Sequence, residues 1–264
     1  MNSPLTTQLL RLFVCLCCLT FPFQGIAQSD LSSPMLLDKS TLSGVGLDTI
    51  KLKNEPERGF YQKNLYRGED LSVYVVSSQS WVGRMDNFSI DEFIYLYHGK
   101  AMVRPEEGGE AIFHTGDFFF VHKGYTGEWE ISAGPTNHYE LSVITTGRAT
   151  PPESPKLPAP IMLDKDKLSG IDISFDENGL YEEVLQEGLE LTISIQAETP
   201  RTRKIENGTE QLVCLLSGQL TFMDENGESS KYHSGDFILF PKGVSGEWTS
   251  EGHGLIKYIS VQKS

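Results

Sequence analysis

The chain repeats itself at the scale of a whole domain, and this duplication limits its fold more than any other feature of the sequence. Gly116 to Trp129 reads GDFFFVHKGYTGEW, and Gly235 to Trp248 reads GDFILFPKGVSGEW. At a constant offset of 119 residues, eight of the fourteen positions are identical. A period near 120 residues is too long for a solenoid repeat and is the size of a domain. The sequence therefore predicts two homologous domains in tandem.

The similarity continues on both sides of this block. The offset is 126 at the start of each copy, at Pro34 and Pro160, and falls to 119 by Tyr139 and Tyr258. Between the copies, residues 150–160 read TPPESPKLPAP, and five prolines in eleven residues cannot pair in a sheet. We therefore assign a first domain to residues 34–149, a semi-rigid linker to 150–160 and a second domain to 161–264.

Short β-strand patterns fill both copies. The segments that begin at Leu71 and Leu189 alternate and are rich in β-branched residues, and the segments that begin at Glu92 and Gln211 are each closed by glycine. Turn residues recur about every ten residues. Helical periodicity is weak, apart from one short turn that we expect near Glu182. The sequence predicts an all-β fold in which each copy forms a sandwich or a barrel.

Residues 1–27 have the pattern of a secretory signal peptide. Arg11 supplies the only charge, Leu12 to Phe23 is an apolar run, and Gly25 to Ala27 is a small-residue cleavage site. The apolar run is short for a helix that spans a bilayer, which needs about 20 residues. An uncleaved anchor is the alternative. We expect a secreted or periplasmic protein that has no membrane attachment after cleavage.

Removal of this segment would leave one cysteine and a strongly acidic chain. Cys15, Cys17 and Cys18 would be lost and Cys214 would remain, which excludes an internal disulfide. The formal net charge of −14 would become −15, because Arg11 is lost. Such a balance argues against nucleic acid and anionic membrane as partners. We expect a small-molecule ligand, and a homodimer formed through a strand edge stays open.

The turn motifs resemble those of the cupin superfamily. The match consists of Glu92-x6-Gly99 and Gln211-x6-Gly218, each followed by the Gly-Asp start of the duplicated block. The second copy keeps the G-x5-P-x-G pattern of that family, whereas His122 replaces the proline in the first. The closing Gly-Glu-Trp is similar to the branch named after ureidoglycine aminohydrolase. The resemblance implies a bicupin, with two tandem jelly-roll β-barrels that can each hold a small ligand.

The resemblance also implies a metal site whose usual ligands are nearly all replaced here. Metal-binding members supply His-x-His, a glutamate and a later histidine. The first copy has Glu92 at the glutamate position and Gly127 at the late histidine position. The second copy has Gln211 and Gly246 there. We therefore expect no metal and no other cofactor.

Three histidines of the first copy leave an alternative open, in which they rebuild a metal site. His114 recurs in the second copy, and this recurrence fits a role in a shared turn as well as a shared ligand. His122 and His138 do not recur, since at the offset of 119 His138 aligns with Lys257. We expect turn or surface histidines, and a pocket cluster of His138 with Glu92 is the alternative.

Two tryptophans lie two residues beyond the late histidine positions and therefore share a strand face with them. If that face points inwards, each indole either fills the barrel core or offers a stacking surface for a sugar or another flat ligand. We assign no catalytic residue. The predicted pocket residues are Glu92, Trp129, His138, Gln211, Trp248 and Lys257.

These features support two functions. The first is an exported bicupin without a standard metal site that binds a small molecule or a sugar, or that serves as a structural module. The second is an enzyme, because the resemblance to ureidoglycine aminohydrolase implies hydrolysis of an amino or ureido group. Convergence of Glu92, His138 and Tyr95 in one cavity is the geometric test that separates them, although strand parity places Glu92 and Tyr95 on opposite faces.

Overall fold

The computed structural model describes residues 33–53, 55–153, 159–170, 173–252 and 254–264. The predicted signal peptide and part of the predicted linker lie outside these residues. Two short helices occur in the described residues, α1 at Lys39–Leu42 and α2 at Lys165–Ser169. Each begins after an aspartate whose side chain accepts backbone N–H groups of the first turn. No helix among the described residues is long and apolar enough to cross a membrane.

The described residues of both copies consist mainly of β-strands. Those of the first copy are β1 (Met35–Leu36), β2 (Asp48–Thr49), β3 (Phe60–Arg67), β4 (Leu71–Ser78), β5 (Trp81–Met85), β6 (Glu92–His98), β7 (Lys100–Pro105), β8 (Ala111–His114), β9 (Phe118–Val121), β10 (Gly127–Ser132) and β11 (His138–Thr145). Those of the second copy are β12 (Ile161–Met162), β13 (Leu180–Glu187), β14 (Leu191–Glu198), β15 (Arg201–Glu206), β16 (Gln211–Ser217), β17 (Gln219–Asp224), β18 (Ser229–His233), β19 (Phe237–Phe240), β20 (Ser245–Glu251) and β21 (Ile256–Lys263).

Each copy folds into a barrel made of one large and one small sheet. Barrel one has the small sheet β5-β10-β7-β8 and the large sheet β12-β9-β6-β11-β4-β3-β2. Barrel two has β15-β20-β17-β18 and β1-β19-β16-β21-β14-β13. This architecture confirms the predicted all-β fold of two tandem jelly-roll barrels. The turn expected near Glu182 was wrong, because Glu182 lies within β13, which pairs with β14 along most of its length.

The first strand of each copy belongs to the large sheet of the other barrel. Strand β1 pairs with β19, with Met35 opposite Leu239, and β12 pairs with β9, with Ile161 opposite Phe120. The predicted domains, which begin at residues 34 and 161, therefore each contain a first strand that belongs to a sheet of the other domain. The boundaries describe the sequence repeat, while the folded barrels exchange their first strands.

Strand parity separates two kinds of core. In β6, Ile94 and Leu96 face the interior of barrel one, whereas Phe93 and Tyr95 face a second core between the barrels. That second core joins residues of both large sheets, including Val143 and its neighbours from barrel one and the alternate residues of β14, β16 and β21 from barrel two. The two large sheets therefore pack back to back, and Tyr95 is separated from the interior by its own strand.

One buried carboxylate from each barrel also holds a turn of the other barrel. Glu210, which precedes β16, accepts the backbone N–H groups of residues 69–71 at 2.7, 3.0 and 2.7 Å. Asp91, which precedes β6, accepts those of residues 190–191 at 2.6 and 3.3 Å. A Cβ added at Gly68 would lie 1.9 Å from the Glu210 carboxylate. A side chain at position 68 would therefore push the Glu210 carboxylate away from the N–H groups whose hydrogen bonds it accepts.

Candidate functional site

Barrel one encloses a cavity of about 30 Å³ between its two sheets. A cavity of this size has room for about two water molecules. The wall combines apolar and aromatic side chains with a small set of polar groups. The polar groups are Arg58, Ser78, Glu92, His138 and Glu140, and the aromatic ones are Phe60, Trp81, Phe88, Tyr125 and Trp129.

Glu92 reaches the cavity because it begins β6 on the same face as Ile94. Its side chain is buried, and the Ser142 hydroxyl donates a hydrogen bond to its Oε1. Burial raises the pKa of Glu92 to about 8, the negative charge of Glu140 adds to the rise, and the bond from Ser142 opposes it. At neutral pH the Glu92 carboxyl therefore holds its proton in most molecules and is a hydrogen-bond donor.

His138 and Glu140 form a pair on the last strand of barrel one. They are two residues apart on β11 and therefore lie on the same face. His138 Nε2 lies 2.6 Å from Glu140 Oε2, and their side chains are only 2% and 8% exposed. The other ring nitrogen, His138 Nδ1, is buried without a hydrogen-bond partner. Buried polar atoms without a partner are rare in folded proteins and mark a place where a ligand or water can bind.

Arg58 lies at the cavity on the loop before β3. Its guanidinium carbon is 4.1 Å from the centre of the Trp81 ring, and Nη1 donates to Glu55 Oε2 at 3.3 Å. The Trp81 indole N–H donates to the other Glu55 oxygen at 3.2 Å. The Arg58 side chain is 8% exposed, and its Nε is buried without a hydrogen-bond partner. An arginine cannot lose this proton, so Nε remains a donor that needs an acceptor.

Barrel two fills the corresponding interior with its own polar side chains. The Trp248 indole N–H donates to Glu198 Oε1 at 2.6 Å, and Arg203 Nε donates to Glu198 Oε2 at 3.3 Å. Glu198 is fully buried, and the Trp248 ring also packs on Tyr258. Gln211, the counterpart of Glu92, donates to Ser260 at 2.5 Å. These polar groups of barrel two therefore form hydrogen bonds with one another.

The structure brings three of the six predicted pocket residues together. Glu92, Trp129 and His138 line the cavity of barrel one. Trp248 lies inside barrel two and Gln211 at the start of β16. Tyr95, part of the predicted geometric test, packs between the barrels and does not join Glu92 and His138.

Lys257, the sixth predicted pocket residue, lies elsewhere because the repeat loses one residue before the last strand. Ser142 pairs with Ile94 in barrel one, and Ser260 pairs with the equivalent Val213 in barrel two. The offset in the last strand is therefore 118, and Lys257 corresponds to Tyr139. The Lys257 amine lies near the end of α2, at 3.3 Å from the position that a Cβ at Gly170 would take.

The offset of 118 also changes the sequence-based pairing of the last strands. Glu140 corresponds to Tyr258 and His138 to Ile256, both on the inward face of their strands. Burial and the nearby Glu198 carboxylate raise the pKa of Tyr258. A difference of one residue cannot be seen in a sequence alignment of so short a segment, although it moves every side chain to the other face of the strand.

Sequence reasoning missed Arg58, Ser78, Trp81 and Glu140. The signal for Glu140 was present, since it stands two residues after His138 on a predicted strand. The sequence gives no signal for Arg58, because it lies on an irregular loop whose path only the folded structure defines. His114 is well exposed, with its backbone N–H bonded to Asp117 at 2.7 Å, a geometry that recurs at His233. The His114 position therefore belongs to a shared turn.

The residues at the family-type metal position do not fit a metal ion. Glu92 Oε1 accepts a hydrogen bond from the Ser142 hydroxyl. His138 Nε2 is taken by Glu140. Trp129 is buried within the same barrel core, beyond the Gly127 position. Within the described ranges, no group of three or more His, Cys, Asp or Glu side chains is arranged to hold a metal ion.

A family model described as the EutQ-like cupin domain matches residues 72–139 and 195–258, together half of the chain. No match was found among curated proteins.

Several solved structures share the fold at low sequence identity. One is a protein of unknown function of the DUF861 family from Pseudomonas syringae pv. tomato str. DC3000, with a TM-score of 0.62 and 16% identity over 87% of this chain and 99% of that one. Another is a cupin 2 conserved barrel domain protein from Leptotrichia buccalis, with a TM-score of 0.56 and 10% identity over 90% and 99%. A third is the protein Ylba from E. coli, also of DUF861, with a TM-score of 0.53 and 16% identity over 88% and 91%.

Proposed function

Since this chain belongs to the cupin superfamily, we propose that it is an exported two-barrel binding protein in which barrel one holds a small-molecule ligand and barrel two is a structural partner. Export rests on the signal-peptide pattern of residues 1–27. The division of roles rests on the difference between the two interiors. In barrel one Arg58 and His138 line a cavity, whereas in barrel two Glu198 accepts hydrogen bonds from Trp248 and Arg203.

One observation carries the proposal. Arg58 Nε and His138 Nδ1 are both buried without a partner, and both residues line the same cavity. An unsatisfied buried polar group costs about 1–3 kcal/mol, so these two atoms, which belong to residues of the cavity wall, are unfavourable unless a ligand or water completes their hydrogen bonds. The aromatic wall, which includes Trp81 and Trp129, supplies the apolar contact that small-molecule sites combine with a few polar groups.

Ligand binding is tested by thermal unfolding of the purified protein against a panel of monosaccharides, polyols, small carboxylic acids and ureido compounds. A ligand that binds the folded state alone raises the midpoint as its concentration rises. Glu92→Gln replaces a carboxyl of the cavity wall by an amide of nearly the same shape. This change should alter the affinity for the ligand about tenfold. The matched control is Gln211→Glu, the counterpart in barrel two, which should leave the response unchanged. Equal effects of the two variants, or no response to any class, would refute the proposal.

A second candidate function is acid–base catalysis in the same cavity, including the hydrolysis of an amino or ureido group that the resemblance implies. The observation in its favour is that Glu92, whose pKa is raised by burial to about 8, lines the same cavity as the hydrogen-bonded His138–Glu140 pair. A carboxyl with a raised pKa can donate a proton, and a histidine held by a carboxylate can accept one. Such a combination in a cavity marks candidate catalytic groups.

Catalysis is tested by following ammonia release from N-carbamoylglycine, a stable ureido compound. The enzyme hypothesis predicts turnover that Glu92→Gln lowers by about a hundredfold or more, which is within the range for loss of a general acid. Gln211→Glu is again the matched control. Ammonia release that is equal in the variant and the unaltered protein would exclude Glu92 as the acid.

A further inference from the structure

Among the inward positions at which the two barrels differ, one concerns the size of the side chain beside the cavity. Ser78 pairs with His138, and Glu198 pairs with Ile256, at the same place in the two large sheets. Barrel two therefore has a buried glutamate where barrel one has a serine. Ser78 lines the cavity of barrel one. The cavity of barrel one therefore adjoins the strand position that Glu198 occupies in barrel two.

Barrel two shows how this interior holds a carboxylate. Glu198 is fully buried, and a tryptophan N–H and an arginine Nε–H each donate to one of its oxygens. Both kinds of donor recur in barrel one. Trp129, the counterpart of Trp248, lines the cavity, and so does Arg58, whose Nε is buried without a partner. Charge-assisted bonds from such donors are the strong ones.

Each of the two acidic side chains that line the cavity of barrel one has a hydrogen-bond donor of its own. Burial raises the pKa of Glu92 to about 8, which favours its neutral form at neutral pH, and Glu140 is hydrogen-bonded to His138 at 2.6 Å. Arg58 carries a permanent positive charge that only one acidic group, Glu55, contacts directly among the described hydrogen bonds. Glu92 in its neutral form adds a third donor for an acceptor oxygen.

We propose that barrel one binds the carboxylate group of a small organic acid, in the place that the Glu198 side chain fills in barrel two. Ser78 leaves the space, and Arg58 and Trp129, which line the same cavity, carry the kinds of donor that Arg203 and Trp248 provide for Glu198. This inference rests on the proposed binding function and names its ligand class. The cavity of about 30 Å³ admits the head group of an acid rather than a large molecule.

The test compares acetate with acetamide, which has nearly the same shape but no charge. Binding is measured by isothermal titration calorimetry on the purified protein and by the chemical shift of the Trp129 indole N–H. We expect one acetate site per chain and acetamide binding that is weaker by about tenfold or more. Ser78→Glu should abolish acetate binding, because it supplies an internal carboxylate. Ser78→Ala, the matched control, keeps the space and should keep acetate binding.

A reciprocal variant covers the case in which Ser78→Glu does not fold. Glu198→Ser creates in barrel two the space that barrel one has, and it leaves Trp248 and Arg203 without their acceptor. Acetate should raise the unfolding temperature of Glu198→Ser more than that of the unaltered protein. No such gain, together with no acetate binding by the unaltered protein, would overturn the inference.

The remaining outcomes separate the two proposals. Acetate binding that Ser78→Glu leaves unchanged means a surface site and overturns the inference. If a sugar or polyol shifts the Trp129 signal and acetate does not, the carboxylate inference fails while the binding function stands. If none of the compounds shifts that signal, both proposals fail.

Discussion

Truncation of Glu210 should weaken the whole molecule, because this residue of barrel two holds a turn of barrel one. Its side chain is 1% exposed and accepts three backbone N–H groups, from Glu69, Asp70 and Leu71. The Leu71 donor is buried, whereas Glu69 and Asp70 are partly open to water. Glu210→Ala removes all three acceptor contacts and leaves a small cavity at the junction of the barrels.

The magnitude follows from those exposures. A hydrogen bond to a charged group contributes about 1.5–3 kcal/mol, and water can replace part of the bonds to Glu69 and Asp70 but not the bond to Leu71. We therefore expect Glu210→Ala to lower the free energy of unfolding by about 3–5 kcal/mol. Glu210→Gln keeps the shape and one acceptor but places an NH₂ donor against N–H donors, which should cost about 2 kcal/mol.

The assay is urea unfolding followed by tryptophan fluorescence, since Trp129 reports on barrel one and Trp248 on barrel two. The matched control is Glu206→Gln, which removes an exposed carboxylate of β15 in the same barrel and should change stability by less than about 0.5 kcal/mol. A loss below about 1 kcal/mol for Glu210→Ala, or one no larger than the control, would refute the view that this carboxylate joins the barrels.

Two further predictions follow from the same geometry and from the cavity. Gly68→Ala would place a Cβ 1.9 Å from Glu210 Oε1 and should cost about 1–3 kcal/mol in urea unfolding, whereas Gly208→Ala, which meets nothing within 4 Å, should cost far less. Glu92 has a pKa of about 8 in the folded state, against 4.5 for a glutamate in water. Between these two pH values the folded protein keeps a proton that the unfolded chain has lost. The free energy of unfolding therefore falls as the pH rises from about 4.5 through 8. Glu92→Gln should remove the contribution of Glu92 to this loss of stability, which is on the order of a few kcal/mol. If the stability of both proteins depends on pH in the same way from pH 5 to 9, Glu92 does not titrate as a buried group.

Much of the fold and part of the site could be read from the chain. The strands predicted at residues 92–98 and 211–217 have those bounds in the structure. Parity predicted that Glu92 and Tyr95 would separate, and that the two tryptophans would share a face with Gly127 and Gly246. The partner of Glu92 could not be predicted, because Ser142 lies 50 residues away and reaches it only across a strand pair.

The sequence by itself determined the duplication, the strand periods and the turn positions, since each depends on residues that are close along the chain. Only the tertiary structure showed that Glu92, Trp129 and His138 line one cavity in barrel one. Two more residues of that cavity are Ser78, which stands where barrel two has Glu198, and Arg58, which reaches the cavity from an irregular loop. The tertiary structure also decided the exchange of β1 and β12 between the barrels. Such features depend on packing and registers between distant segments, and a one-residue change of register reverses the face of every side chain on a strand.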